Sequence, residues 1–172
     1  ASDVYKRQED EDLKPILKKI SSDYTSVEYS LLLLSDKFKS FCKDDMKQAD
    51  KLSALVKAAV EMTTQEAPNW EFIAARLLSY KLNRSIAAFE ESVSVHSFYD
   101  KLRYLTDERL YGEYILASYS PEEIEQAATF IKEDRNDLLN YSGLDLLMKR
   151  YLIRTYSNKP IESIQEMYLG IA

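Results

Sequence analysis

The amino-acid sequence predicts a mainly α-helical protein, a helical bundle-like domain with one short β-hairpin near the C-terminus. Three glycines and four prolines among 172 residues are few, which favours long helices joined by short loops. Apolar residues make up 45% and charged residues 30% of the chain, the balance of a globular protein rather than of a disordered tail. Apolar residues also recur at intervals of three and four along most of the chain, which is the period of an amphipathic helix.

The front of the chain predicts a polar start followed by helices. Residues 1–12 are polar and charged without periodicity, and we expect poor order there. Apolar spacing predicts a short helix over 13–20, a longer helix over 24–43 and a third over 50–62. The helix over 24–43 carries a wide apolar stripe, formed by Val27, Leu31, Leu34, Phe38 and either Phe41 or Cys42, and widened by Leu32 and Leu33.

The middle of the chain predicts one long helix and two short ones. Pro68 marks the start of the long helix, since a proline in the first helical turn loses no hydrogen bond. This helix is predicted to run to about Phe89. Two short helices are predicted to follow from His96, with a cap at Thr106 or Asp107 between them. The inward residues of the long helix are predicted to be Trp70, Ile73, Ala74, Leu77, Leu78 and Leu82.

Two serines in the last third predict helix starts. Ser120 and Ser163 are each followed three residues later by a glutamate, Glu123 and Glu166, which is the spacing of a capping box. The helix after Ser120 is predicted to continue to Leu139 with one apolar face. The helix after Ser163 is predicted to run to Ala172. We expect its apolar residues to have no partner within the chain; they are Ile164, Met167, Tyr168 and Ile171.

Between these two helices the sequence predicts a change of period. Gly143 is predicted to supply a left-handed helix end, and a short helix is predicted after it. Residues 151–156 then predict a strand, 157–160 its turn and 161–162 a short return strand. These last three segments are the predicted β-hairpin.

The common catalytic and cofactor motifs are absent from the sequence. No glycine precedes Gly112, so no Gly-rich phosphate loop is present, and the single histidine, His96, has no second histidine with which to share a metal ion. Neighbouring carboxylates point about 100° apart on a helix and indicate solvated faces. We therefore predict no catalytic, cofactor-binding or metal-binding residue in this chain. The neighbouring carboxylates are Asp44-Asp45, Glu90-Glu91 and Glu122-Glu123.

Three further observations concern polar residues and charge. Cys42 excludes an intramolecular disulfide because it is the only cysteine, and its apolar neighbours predict a buried structural thiol. Asp134 and Arg135 are predicted to tie their helix to neighbouring elements. A net charge of −6 opposes nucleic-acid binding. Because the chain has no signal pattern and no apolar run near membrane-spanning length, we expect a cytoplasmic protein without a membrane partner.

The order of residues in the second half resembles a known family. The segment from Ala67 to Leu78 (APNWEFIAARLL), Phe98-Tyr99-Asp100 and a series of positions in the last third are similar to the N-terminal all-helical region of the large (alpha) subunit of class I ribonucleotide reductase. The resemblance covers roughly residues 47–172. The positions in the last third are Phe130-Ile131, Asp134-Arg135, Tyr141-Ser142-Gly143, Leu147, Lys149, Tyr151 to Arg154, Glu162, Gln165, Met167-Tyr168 and Ile171-Ala172.

The resemblance implies a function and partners. It implies the N-terminal part of a ribonucleoside-diphosphate reductase large subunit, an oxidoreductase that converts ribonucleotides to deoxyribonucleotides for DNA synthesis. Residues 67–172 would be its N-terminal all-α domain, leading into a catalytic barrel. The chain alone would be an inactive structural cap, and its partners would be that barrel and, in the parent enzyme, a small radical-generating subunit. The alternative is an acidic all-helical interaction module that binds a partner helix through the stripe from Leu31 to Phe41.

Residues 1–66 resemble a degenerate or truncated ATP-cone, the nucleotide-binding regulatory domain of this family. Val4-Tyr5-Lys6-Arg7 resembles the start of the cone, with Lys6 and Arg7 facing phosphate, but acidic residues follow where a glycine turn is expected. Gln48 and Leu52 stand where the family has threonine and histidine, while Arg84 retains a positive charge. We therefore expect no tight binding of ATP or dATP and no cofactor in this chain. The parent enzyme is implied to use such nucleotide effectors and a radical cofactor on its small subunit.

Overall fold

The computed structural model describes residues 13–172, and helices make up most of this range. Two 3-10 helices, Val27–Tyr29 and Glu133–Leu138, precede the second and the eighth α-helix. The α-helices are α1 (13–20), α2 (Leu31–Lys39), α3 (Gln48–Glu61), α4 (Trp70–Ser92), α5 (Phe98–Asp107), α6 (Tyr114–Ser118), α7 (Pro121–Ala128), α8 (Tyr141–Arg150) and α9 (Ile164–Ile171).

The described residues fall into two compact units. The first contains 13–81 and 138–144, and the second contains 82–137 and 145–172. The predicted division near residue 66 separates two segments of sequence rather than these two compact units, and it stays a prediction.

The core of the first unit forms around Trp70, the first residue of α4. Trp70 is 1% exposed and its ring lies 5.7 Å from that of Tyr29. The Trp70 indole N–H donates to the backbone carbonyl of Glu28 at 2.9 Å, and Tyr29 accepts the backbone N–H of Asn69 at 3.2 Å. Buried apolar residues from α1, α2 and α3 surround this pair, so most inward positions predicted from apolar spacing in this unit are confirmed. They include Leu13, Leu34, Leu52, Leu55, Ile73, Ala74 and Leu77.

The helix predicted over 24–43 is shorter than expected. Ser30 takes an extended conformation and its hydroxyl accepts the N–H of Leu32, so α2 begins only at Leu31. Val27 lies before this cap and is 84% exposed, whereas Leu34 inside α2 is 1% exposed. The predicted stripe is therefore correct for Leu31, Leu34 and Phe38, but it is wrong at its front end, because apolar spacing does not detect a cap. It is also wrong in its width, since Leu32 and Leu33 are 78% and 46% exposed.

The second unit is built on α5, α7 and α9. Both predicted capping boxes are present: Ser120 caps α7 and Ser163 caps α9, each with its glutamate returning the hydrogen bond. Ile164 and Met167 of α9 are 1% and 6% exposed, so the expectation that they lack partners within the chain is wrong. Tyr168 and Ile171, further along α9, are exposed.

The predicted β-hairpin is wrong, since residues 13–172 contain no β-strand and only one isolated antiparallel bridge, between Arg154 and Pro160. Two backbone hydrogen bonds close the segment, from Ile161 to Ile153 at 3.0 Å and from Thr155 to Lys159 at 2.9 Å, and side chains take the place of a longer strand ladder. Ile153 donates its backbone N–H to the carboxylate of Glu162 at 3.0 Å, and the Arg154 guanidinium donates to the backbone carbonyls of Met148 and Asn158. Pro160 has no N–H to donate to a ladder. The segment is therefore a loop closed by Glu162 and Arg154.

The helix after Ser120 also ends earlier than predicted. α7 stops at Ala128, and Leu138, which was predicted to face inward, is 80% exposed. Asn136 is buried instead, and its amide group bonds to Glu133 and Gln165 at 3.0 and 2.9 Å. Gly143 does not end a helix: it lies in the first turn of α8 with φ below zero, and its N–H is capped by Asn140 at 2.8 Å.

Candidate functional site

A buried lysine forms the most concentrated group of charges in the second unit. Lys101 is 4% exposed and lies on the inner side of α5. Its ammonium group stands 2.6 Å from a carboxylate oxygen of Glu90 and 2.7 Å from one of Glu166. A lysine is almost never this buried unless it is paired. The two ion pairs join α5 to α4 and to α9, and we call Lys101, Glu90, Glu162 and Glu166 the lysine centre.

The local sequence explains why the lysine points inward. Ser97 caps α5 by accepting the N–H of Asp100 at 3.0 Å, which sets the helix start. Leu102 and Leu105 are 5% and 3% exposed and lie on the same side of α5 as Lys101, because residues three and four apart share a helical face. Burial of these leucines therefore carries the ammonium group into the unit.

Glu166 has two roles at the start of α9. The same carboxylate oxygen that pairs with Lys101 accepts the backbone N–H of Ser163 at 2.8 Å, and the Ser163 hydroxyl accepts the N–H of Glu166 at 3.2 Å. The side chain of Glu166 is 15% exposed. The capping box of α9 is thus part of the lysine centre.

Glu162 is the third carboxylate of the centre and directly precedes Ser163. It is 7% exposed and accepts the backbone N–H of Ile153. Burial raises the pKa of the Glu162 carboxyl above its ordinary value of 4.5, and the negative charge of Glu166 raises it further, while the Ile153 hydrogen bond and Lys101 oppose the rise. Since the pKa is raised overall, the native environment of Glu162 favours its neutral form.

Tyr111 lies beside this group, in the segment after α5. Burial, followed by its hydrogen bond with Tyr114, raises the pKa of the Tyr111 phenol above 10.0, and the charge of Glu162 contributes. A Cβ atom added at Gly170 would lie 2.7 Å from the Tyr111 hydroxyl. Glycine at position 170 therefore allows the end of α9 to approach Tyr111.

Two hollows adjoin the lysine centre, and a third cleft shares residues with them. A void of about 10 Å³ is lined by Lys101, Tyr111, Glu162 and Glu166 together with apolar residues of α5. A cleft of about 230 Å³ has His96 and Ser97 beside Glu90, Lys101 and Glu166. A third, largely apolar cleft of about 570 Å³ is lined by α5, α6, α7 and the end of α9. The centre thus borders a polar cleft, and the apolar cleft shares Leu102 and Tyr111 with the small void.

The chemistry of the centre is that of a structural ion-pair network. The Lys101 amine is paired with two carboxylates, which is the arrangement of a structural ion pair rather than of a free nucleophile. Among residues 13–172 no group of three or more histidine, cysteine, aspartate and glutamate side chains is arranged to hold a metal ion. The arrangement fixes helices relative to one another within the unit.

Several residues singled out in the sequence lie elsewhere. Cys42 is exposed, so the predicted buried thiol is wrong; it lies beyond the end of α2 rather than in its stripe. Asp134 and Arg135 are exposed, and the neighbouring Glu133 and Asn136 make the contacts predicted for them. His96 is exposed, Gln48 starts α3 and Arg84 is exposed. Val4 to Arg7 lie outside the described residues.

Sequence reasoning missed the lysine centre and treated Glu90 as part of a solvated pair. Glu90 is instead bonded to Lys101. One signal was available: Lys101 occupies an inward position of a short helix whose other inward residues, Phe98, Leu102 and Leu105, are apolar. A cation at such a position requires an acidic partner, although spacing alone does not say which one.

Together, the helical units and a charge network that joins helices define a helical module. No helix among the described residues is long and apolar enough to cross a membrane. A scan against models of known protein families finds none that matches the chain.

Comparison with curated proteins identifies relatives. The chain is 46% identical over 157 residues to the alpha subunit of ribonucleoside-diphosphate reductase from Treponema pallidum, which covers 91% of this chain and 19% of that protein. It is 29% identical over 131 residues to ribonucleoside-diphosphate reductase 1 subunit alpha from Escherichia coli K12, covering 75% and 17%. It is 31% identical over 121 residues to the alpha subunit from Enterobacteria phage T4, covering 70% and 16%.

These matches confirm the resemblance noted in the sequence. The chain is a relative of the ribonucleoside-diphosphate reductase alpha subunits. It spans less than a fifth of the length of each of these three relatives.

Proposed function

We propose that this chain forms the N-terminal helical part of the large subunit of a ribonucleoside-diphosphate reductase, the enzyme that converts ribonucleotides to deoxyribonucleotides for DNA synthesis. The observation that carries this proposal is the 46% identity across 91% of the chain to an alpha subunit of which it covers only 19%. The parent enzyme is therefore an oxidoreductase, and most of its chain lies outside this sequence.

The contribution of this chain to the parent enzyme is architectural. The most buried charged side chain, Lys101, is committed to two ion pairs that hold α4, α5 and α9 together. The radical and thiol chemistry implied by the resemblance belongs to the catalytic barrel and the small subunit, which are the proposed partners. Residues 67–172 correspond in this proposal to the all-α domain that supports the barrel.

The front segment, residues 1–66, is proposed to be a degenerate or truncated ATP-cone with weak nucleotide binding. Leu52, at the position where the family has histidine, is 2% exposed and packs in the apolar core of the first unit. A buried leucine offers a nucleotide no hydrogen-bonding group. Nucleotide effectors of the parent enzyme are then expected to act on this segment weakly.

The alternative function, an interaction module, depended on the stripe from Leu31 to Phe41. Leu34 is buried, and Leu31, Phe38 and Phe41 pack against the core of the first unit. The inner side of this stripe is therefore occupied within the chain and only Leu32 and Leu33 of its leucines are exposed, which favours the reductase proposal.

A reconstitution experiment tests the proposal. The chain is mixed with the remaining part of a matching alpha subunit, the small subunit and a thiol reductant, and the formation of deoxyribonucleoside diphosphate is measured in the complex recovered by size-exclusion chromatography. We expect activity only when both parts of the large subunit are present. The controls are each part alone with the small subunit. Failure of the two parts to associate, with no gain of activity on mixing, would contradict the proposal.

A further inference from the structure

We propose that the lysine centre is a proton-controlled lock, in which the protonation state of Glu162 sets how firmly the first turn of α9 is held against α5. The proposal rests on the geometry of the second unit and does not depend on the reductase activity. It describes a conformational change of α9 that is controlled by binding of a proton.

The charges of the lysine centre are not balanced. One ammonium group, that of Lys101, faces three carboxylates within the unit. Lys101 makes direct ion pairs with Glu90 and Glu166, so the charge of Glu162 is left without a direct cationic partner in the centre. A buried charge that is not fully compensated is costly, and a carboxyl group in that position responds by binding a proton.

The titratable and charged groups that face the lysine centre come from several elements. Glu90 comes from α4, Lys101 from α5 and Glu166 from α9, while Tyr111 follows α5 and shares the small void with Glu162. His96, before α5, borders the polar cleft beside Glu90 and Glu166. Of these groups, Glu162 is the carboxyl whose pKa is raised.

Glu162 acts on α9 through the capping box of that helix. Glu162 directly precedes Ser163, the cap of α9, and the oxygen of Glu166 that caps α9 is also the oxygen bound by Lys101. Ionised Glu162 repels this carboxylate, and the repulsion acts on the group that holds the first turn of the helix. Neutral Glu162 removes the repulsion while its carbonyl oxygen still accepts the N–H of Ile153.

The void beside Glu162 provides a route for hydration. Its volume, about 10 Å³, is enough for about one water molecule, and its polar lining offers the partners that such a water needs. The last residues of α9, from Leu169 to Ala172, line the apolar cleft, so loosening α9 changes a wall of that cleft.

The direction of the pH effect follows from linkage. The pKa of Glu162 is raised in the folded state above 4.5, so stabilisation of the native form is complete below that pH and is lost as pH rises through the folded-state pKa. α9 should therefore be held most firmly at mildly acidic pH and more loosely at neutral and alkaline pH.

Amide hydrogen exchange of the full 172-residue chain, followed by NMR, tests the lock. The protection factor of an amide is the ratio of its intrinsic exchange rate to its observed exchange rate at the same pH. Protection factors are measured for the amides of α9 and, as an internal reference, for those of α7. For the native chain we expect protection of α9 to fall as pH rises from about 5 to about 8, by a factor of about ten for each unit by which the pKa of Glu162 is raised. Protection of α7 should change much less.

Two variants complete the design. Glu162→Gln keeps an oxygen for the Ile153 N–H but does not titrate, so α9 protection should become independent of pH. His96→Gln should behave as the native chain does. A further measurement uses the native chain alone: the NMR chemical shift of the Glu162 side-chain carboxyl carbon is followed against pH. The midpoint of this titration should coincide with the pH at which α9 protection falls.

Several results would overturn the proposal. The first is α9 protection that does not change with pH in the native chain. The others are a pH dependence of α9 protection that is unchanged in Glu162→Gln, or one that is lost in His96→Gln. An equal fall of α7 and α9 protection would also contradict it, because the centre would then act on the whole unit. So would a Glu162 carboxyl midpoint at or below 4.5.

Discussion

Trp70 and Glu28 are joined by a hydrogen bond that spans 42 residues of sequence, from the indole N–H to a backbone carbonyl at 2.9 Å. The bond fixes the segment before α2 onto the first turn of α4, and Tyr29 packs against the same indole ring. Trp70→Phe keeps an aromatic ring but removes the donor. We expect a loss of about 1 to 3 kcal/mol in the free energy of unfolding, because the Glu28 carbonyl loses its partner in a partly buried place. Urea unfolding followed by circular dichroism measures this, since the variant lacks tryptophan fluorescence; an unchanged midpoint would show that the bond does not contribute.

Removing the cation of the lysine centre should destabilise the second unit strongly. Lys101→Met leaves the carboxylates of Glu90 and Glu166 without their partner, and breaking a buried pair on one side costs about 3 to 5 kcal/mol, with the lower value expected because Glu90 keeps some hydration. The matched control is the triple variant with Glu90→Gln and Glu166→Gln, which removes both charges as well. Urea unfolding should show the triple variant to be more stable than Lys101→Met alone. The reverse order would mean that the ion pairs are not the cause.

The outer and inner faces of α2 should differ sharply in their response to truncation. Leu34 is 1% exposed and Leu32 is 78% exposed on the same helix. Leu34→Ala should cost about 2 to 5 kcal/mol by leaving a cavity. Leu32→Ala should stay within about 0.5 kcal/mol of the native chain. Thermal unfolding of the two variants gives the comparison, and similar losses in both would show that Leu32 is covered in solution.

The two capping boxes provide another matched pair. Ser120 is exposed and Ser163 is 7% exposed. Loss of the hydroxyl should cost about 0.5 to 1 kcal/mol in Ser120→Ala, because water replaces the cap, and up to about 2 kcal/mol in Ser163→Ala, because less water reaches the N–H of Glu166. Chemical unfolding measures both values, and an equal cost would indicate that water reaches both helix starts.

Nucleotide binding by the front segment should be weak. Gln48 and Leu52 stand at two positions where the ATP-cone has threonine and histidine, and Leu52 belongs to the core. Isothermal titration of the chain with dATP should give no saturable heat at micromolar concentrations. The positive control is a relative of the chain that retains the complete cone motif. A dissociation constant in the micromolar range for this chain would refute the prediction.

Local signals in the sequence predicted local structure well. Ser163 and Glu166 are three residues apart, so their capping box is visible in the sequence, and the same holds for Ser120 and Glu123. Apolar spacing likewise found α3, and it placed most of α4. What these elements share is that their determinants lie within a few residues of one another.

Features that depend on distant partners were not predictable in this way. Lys101 and Glu166 are 65 residues apart, and no spacing rule connects them. The predicted hairpin failed because the carboxylate of Glu162 binds the backbone N–H of Ile153, a group that a strand pair would have used. Cys42 was assigned to an apolar stripe that continues past the point where α2 ends. Apolar spacing reports neither such distant partners nor the residue at which a helix ends.

One oxygen atom of Glu166 accepts from both the backbone N–H of Ser163 and the ammonium group of Lys101. Few side chains meet both demands at this position. Glutamine has the length for the cap but lacks the charge, aspartate has the charge but is one methylene shorter, and alanine meets neither demand. Glu166→Gln therefore separates the two roles, since it keeps the helix start and removes the ion pair. Tolerance to substitution at position 166 should be narrower than at Glu123, whose capping box has no lysine attached.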